Sequence, residues 1–183
     1  MDAERFARQI ALPEIGPDGQ ARLGAARVAV IGGDLAAATA ASYLRAAGVG
    51  DVDERAELGP LDGLQLVVRS GFDDDALLPA ARRLGLPVVV MRASDDVVDV
   101  LSFPRRDGDA APAPANDGPG IPFKAAAPCD DGAAGVLAGT IAAAEALHAL
   151  IAEPGAAGAA TTVKHLRLPL DGREPLRQEI PAR

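Results

Sequence analysis

The stretch Arg27-Val28-Ala29-Val30-Ile31-Gly32-Gly33-Asp34, followed by an alanine-rich run over 35–47 and then Gly48, decides the fold. A short apolar run with branched residues, a glycine turn, and a helix-forming segment closed by glycine predict strand, tight turn, helix and C-terminal cap. That is the opening of a βαβ unit. Such a turn holds phosphate when the pattern G-x-G-x-x-G lets backbone N–H groups approach a pyrophosphate at the helix N-terminus. Here the third position of the pattern is Asp34 and the sixth is Ala37. A carboxylate in that place repels phosphate.

Working outward, residues 2–11 and 18–25 read as helices split by Pro13, Gly16 and Pro17. Strands are expected over 51–54, 64–68, 87–91 and 97–103, with a helix over 73–84 capped by Gly85. From Pro104 to Pro122 the chain is rich in Pro, Gly, Ala and Asp and offers little to bury, so a long loop is expected. The segment 133–152 reads as a buried alanine-rich helix rather than a membrane span, because it carries Glu145 and His148 and lacks basic flanks. Segments 161–168 and 175–180 around Asp171-Gly172 predict a terminal hairpin. Strands alternating with helices, then a hairpin, indicate a single α/β domain over 1–183, with a mostly parallel sheet and a C-terminal antiparallel hairpin.

Composition narrows the function. The 183 residues are 49% hydrophobic but only 3% aromatic, without tryptophan, so the core must be built from Ala, Val, Leu and Ile. The net charge is −8, and basic residues cluster no further than pairs such as Arg82-Arg83 and Arg105-Arg106. Nucleic-acid binding is therefore not expected, since phosphate neutralisation needs a concentrated basic face. A lone cysteine, Cys129, excludes an internal disulfide. No apolar leader follows the charged start Met1-Asp2-Ala3-Glu4-Arg5, and neither a membrane partner nor export is expected, which leaves the cytoplasm.

Glu4-Arg5-Phe6-Ala7-Arg8-Gln9, Leu12-Pro13-Glu14-Ile15-Gly16 and Gly19-Gln20-Ala21-Arg22-Leu23 together resemble the N-terminus of the ThiF/MoeB/HesA family. These are E1-like enzymes that adenylate the C-terminus of ubiquitin-like sulfur-carrier proteins. The similarity runs without a gap through Tyr43-Leu44-Arg45-Ala46-Ala47-Gly48-Val49-Gly50 and returns at 64–90, at Pro128-Cys129 and at 135–150. The resemblance implies a Rossmann-like fold, an ATP site, and a homodimer in which an arginine of the N-terminal helix reaches the neighbouring subunit's site. Arg8 matches that arginine, and such a cation can stabilise a transferring adenylyl group. Its bland reading is an exposed helix residue paired with Glu4.

The rest of the implied site is thinned out. The family's glycine-rich turn is matched by Gly32-Gly33-Asp34-Leu35-Ala36-Ala37, with only the first glycine in register. The ribose-holding acid at the end of the second strand is matched by Asp51 or Asp53, with Arg55 as the only cation of the segment that follows. The family has there a longer segment with an arginine, a lysine and a crossover helix, whereas ten residues separate Asp53 from Leu64 here. At roughly 3.4 Å per residue they still cross two strands, so the fold survives and the cation set does not. No lysine precedes Lys124, so the triphosphate-contacting lysine has no counterpart. The aspartate implied after the later strand falls near Phe72-Asp73, where Asp73, Asp74 or Asp75 substitutes for it if the loop shifts by a residue, and these equally suit the first turn of a helix.

Three other features bear on the chemistry. Cys129 sits between Pro128 and the acidic Asp130-Asp131, which favours a structural thiol over a sulfur-carrying one. His148 and His165 with Cys129 match no metal-ligand spacing, so no metal is expected. Gly135, Gly139 and Ala143 form a small-residue row for close packing, within the chain or against a partner's helix. The expectation is a degenerate E1-like protein without a cofactor that acts as a dimeric scaffold, with an active E1-like enzyme or a ubiquitin-like carrier as partner. The alternatives are an active adenylyltransferase using ATP and magnesium, and a module for a nucleoside lacking phosphates.

Overall fold

A computed structural model describes residues 4–71, 76–105, 132–152 and 162–181. The expected βα opening is present: β1 is Arg27–Ile31 as expected and α3 is Leu35–Ala46, one residue shorter than expected, after α1 (Ala7–Ile10) and α2 (Gly16–Ala25). Then come β2 (Asp51–Arg55), β3 (Leu66–Ser70), α4 (Leu77–Arg83), β4 (Val88–Ala93), β5 (Val97–Phe103), α5 (Ala133–Ile151), β6 (Thr162–Pro169) and β7 (Leu176–Pro181). The long loop expected over 104–122 and the acidic run at 73–75 lie almost wholly outside the described residues.

One seven-stranded sheet runs in the order β2-β1-β3-β4-β5-β6-β7. The first four strands pair in parallel, and β5, β6 and β7 continue antiparallel, so the antiparallel part begins one strand before the expected hairpin. Val28, Ala29, Val30 and Ile31 are all at most 1% exposed, as a central parallel strand covered on both faces must be. Val28 and Val30 pack into a core with α3 and α5, whereas Ala29 and Ile31 pack into a second core with α4.

Two local differences from the sequence reading have simple causes. Pro17 begins α2 rather than breaking it, because the first turn of a helix needs no N–H from proline. β3 starts two residues later than expected: Leu61 and Leu64 are drawn into the α4-side core as residues 56–65 pass from β2 over β1 to β3. The short connection thus replaces a crossover helix with a loop anchored by leucines.

With few large side chains, the helices approach until backbones touch. A Cβ placed on Gly139 would lie 2.4 Å from the carbonyl oxygen of Ala36, and one on Gly135 would sit 3.5 Å from Cβ of Leu35. The small-residue row of α5 therefore packs on α3 of the same chain. α5 has the length and hydropathy of a membrane span, yet it buries Ala134, Ala138, Ala142 and Ala146 against the fold.

Candidate functional site

In a parallel α/β sheet, ligands bind beyond the carboxyl ends of the strands where the strand order reverses. Here that edge is formed by the ends of β2, β1 and β3, with the turn Gly32-Gly33-Asp34 above it. Gly32 has φ +147°, and a Cβ on it would meet Cβ of Ser70 at 2.8 Å and Cβ of Ala37 at 3.1 Å. Glycine is required there because the end of β3 and the first turn of α3 close over it.

Asp34 is the N-cap of α3. One carboxylate oxygen accepts the N–H of Ala37 at 2.9 Å, and the other accepts the hydroxyl of Ser70 at the end of β3. A second donor of the turn is also committed, since Gly32 N–H bonds to the carbonyl of Arg55 at 2.8 Å. The helix N-terminus thus already holds an anion, the chain's own carboxylate, and the helix dipole stabilises it there.

Arg55 meets this turn through its carbonyl, while the side chains of the other predicted residues that the structure describes engage other partners or solvent. Asp51 begins β2 and lies about 13 Å along the strand from its carboxyl end; it bonds to Arg27 at 3.2 Å. Asp53 and Arg55 pair with each other at 2.7 Å on the face away from α3, and Arg55 also donates to the carbonyl of Pro60 at 2.8 Å. Arg55 is therefore spent on its own strand and on the crossover loop. Glu54 faces the other way and pairs with Arg45 of α3. Gly33 is exposed, with open space where a Cβ would project. Arg8 is exposed on α1, and among the described residues it forms no ion pair, with Glu4 or with any other group. Asp73 and Cys129 lie outside the described residues.

Arg69 belongs to no motif in the sequence. It ends an apolar run on β3, beside Ile31 and Val90, on the same face as Arg55. Its Nε is buried without a hydrogen-bond partner among the described residues. A cation at the end of a buried strand was the available signal.

A second polar cluster lies farther along the sheet. Asp99 of β5 is fully buried and receives Arg167 at 2.8 and 3.1 Å, Arg92 at 2.8 Å and the Nε2 of His165 at 3.0 Å. Burial pushes its carboxyl up, but the hydrogen bonds from Arg167, His165 and Arg92 outweigh that and hold it down at about 2. His165, weighed from sequence with Cys129 and His148, is thus bound to Asp99. His148 is exposed on α5, across the sheet from it. No group of three or more metal-ligating side chains occurs among the described residues.

The fold and the βα turn define the Rossmann-type architecture of the E1-like proteins, and solved structures agree. Over 98% of this chain and 73% of the other, it superposes on PaaA with a TM-score of 0.68 at 13% identity. Against Escherichia coli MccB with ATP the TM-score is 0.65 at 11% identity, covering 100% of this chain and 73% of the other. In sequence the chain is a partial homologue of the E1-like adenylyltransferases. It is 33% identical over 109 residues to a sulfur carrier protein adenylyltransferase of Thermus thermophilus, covering 57% of this chain and 38% of that protein. It is 45% identical over 49 residues to a SAMP-activating enzyme E1 of Haloferax volcanii, covering 27% of this chain and 18% of that one. The chain therefore spans less than two fifths of either curated relative. No protein-family model matches the sequence.

Proposed function

We propose that this chain is a degenerate E1-like protein that has lost ATP-dependent adenylation and acts as a dimeric scaffold in the cytoplasm. Its partner is a ubiquitin-like sulfur-carrier protein or an active E1-like enzyme, the class of protein its relatives are named for. One observation carries the reading: the Asp34 carboxylate occupies the N-terminus of α3, bonded to Ala37 N–H and to Ser70. A polyphosphate seated there would have to displace a bonded anion or accept its charge at close range. The same account covers the absence of any lysine before Lys124 and the commitment of Arg55 to Asp53 and Pro60.

Arg69 favours a second reading, an adenylyltransferase with an unorthodox site, because its buried Nε lacks a hydrogen-bond partner among the described residues at the ligand edge of the sheet. Pyrophosphate exchange with ATP, magnesium and a sulfur-carrier protein separates the two. The scaffold reading predicts no exchange above a carrier-only control, with or without the change Arg8→Ala. Exchange that Arg8→Ala abolishes would establish the enzyme.

A further inference from the structure

The strand β7 closes the sheet order and, among the described residues, has a neighbour only on one side. Residues 171–179 are all exposed, Leu176 at 41%. Arg177 and Glu179 form no ion pair with each other or with any described residue, although Lys164 stands opposite Glu179 on β6.

The ladder shows which backbone groups of β7 are open. Leu170 N–H donates to the carbonyl of Asp96 at 2.8 Å, so Leu170 and its alternates Leu168, Leu166 and Lys164 bond towards β5. Residues Val163, His165 and Arg167 then bond towards β7, where they pair with Ile180, Gln178 and Leu176. By the same alternation Arg177 and Glu179 turn their N–H and C=O groups to the free edge. The next edge-facing positions on either side are Pro175 and Pro181, which have no N–H to offer. The open edge is therefore a short window with two donors, bounded by two prolines.

We propose that this window pairs with the same window of a second copy of this chain, antiparallel about a two-fold axis centred on Gln178. In that register Arg177 meets Glu179 of the partner subunit and Glu179 meets the partner's Arg177, each pair exchanging two backbone hydrogen bonds. Leu176 falls opposite Ile180 of the partner subunit, and Pro175 opposite the partner's Pro181, so the prolines end the ladder at both sides. Shifting the axis to Arg177 places arginine against arginine, and shifting it to Glu179 places glutamate against glutamate; both cost like-charge contact. Prolines and charges blunt an edge against open-ended growth. Here they also leave one two-fold register that satisfies every donor, and the contact closes as an isologous dimer.

A window this short gives a weak dimer, at the low end of interface sizes. Sedimentation equilibrium on the full chain from about 10 μM to about 1 mM spans the expected range for such contacts. The wild type should show a monomer–dimer equilibrium. Arg177→Glu and Glu179→Arg should each weaken it about tenfold or more, by placing like charges opposite one another. The double change Arg177→Glu with Glu179→Arg should restore it, since the swapped pair is again complementary. A wild type that stays monomeric throughout overturns the proposal. So does a double variant as weak as the single ones. A dimer indifferent to either reversal also refutes this interface, while leaving the scaffold reading, which needs only some dimer, in place.

Discussion

Replacing Asp99 by asparagine tests whether the buried cluster on β4, β5 and β6 holds the antiparallel half of the sheet together. The side chain is 0% exposed, between Arg92 at 11%, His165 at 4% and Arg167 at 29%. Folding holds its carboxyl at about 2, against an ordinary 3.8. At 1.36 kcal/mol per pH unit that difference corresponds to roughly 2–3 kcal/mol of stability. The folded value is the lower one, so the contribution is fully present above pH 3.8 and is lost as pH falls through 2. Asparagine keeps the shape but removes the charge, leaving two guanidinium groups facing a neutral amide. Breaking a buried pair in this way costs about 3–5 kcal/mol, more than the linkage figure, because the cations lose their counter-charge as well. Urea unfolding at pH 7 should therefore show Asp99→Asn less stable by about 3 kcal/mol or more with an unchanged slope. The gap should narrow between pH 4 and pH 2 as the wild-type carboxyl takes up a proton. A variant within about 1 kcal/mol of wild type at pH 7, or a gap that stays constant through that range, would refute the reasoning.

Two further outcomes test the packing and the cap. Gly139→Val drives a branched side chain into the carbonyl of Ala36, where even a Cβ would stand 2.4 Å away. The loss should be about 3 kcal/mol or more, read as a thermal midpoint lowered by roughly 6–12 °C. An unshifted midpoint would show that α3 and α5 do not touch as described. Asp34→Ala removes the cap of α3 and strands the hydroxyl of Ser70, which is 9% exposed. It should cost about 1–2 kcal/mol in urea unfolding, and a more stable variant would mean the carboxylate is not bonded there.

The βα opening was legible because everything that makes it is local: a branched apolar run, Gly32, an alanine-rich helix and Gly48 follow one another directly. The packing of Gly135 and Gly139 was legible only as a need for close approach. Which helix approaches depends on α3 lying beside α5, a long-range fact. Asp34 was legible as a carboxylate at the βα turn, but its second partner, Ser70, is 36 residues away and no spacing announces it. The Asp99 cluster was invisible for the same reason. Its members come from three strands, and only the antiparallel registers of β4, β5 and β6 bring Arg92, His165 and Arg167 to one carboxylate. Asp51 was a reasonable ribose candidate by position in the chain, yet strand direction puts it at the far end of β2 from Gly32.

Calorimetric titration of magnesium–ATP into the wild type and into Asp34→Gly, side by side, bears most directly on the claim that the chain's own carboxylate fills the phosphate seat. The account predicts no heat of binding from the wild type at concentrations up to about 1 mM, a range that covers affinities down to roughly −4 kcal/mol. Any binding should emerge only in the glycine variant, where the bonded anion is gone and the turn can open to phosphate. Micromolar binding by the wild type, unchanged or weakened in Asp34→Gly, would contradict it.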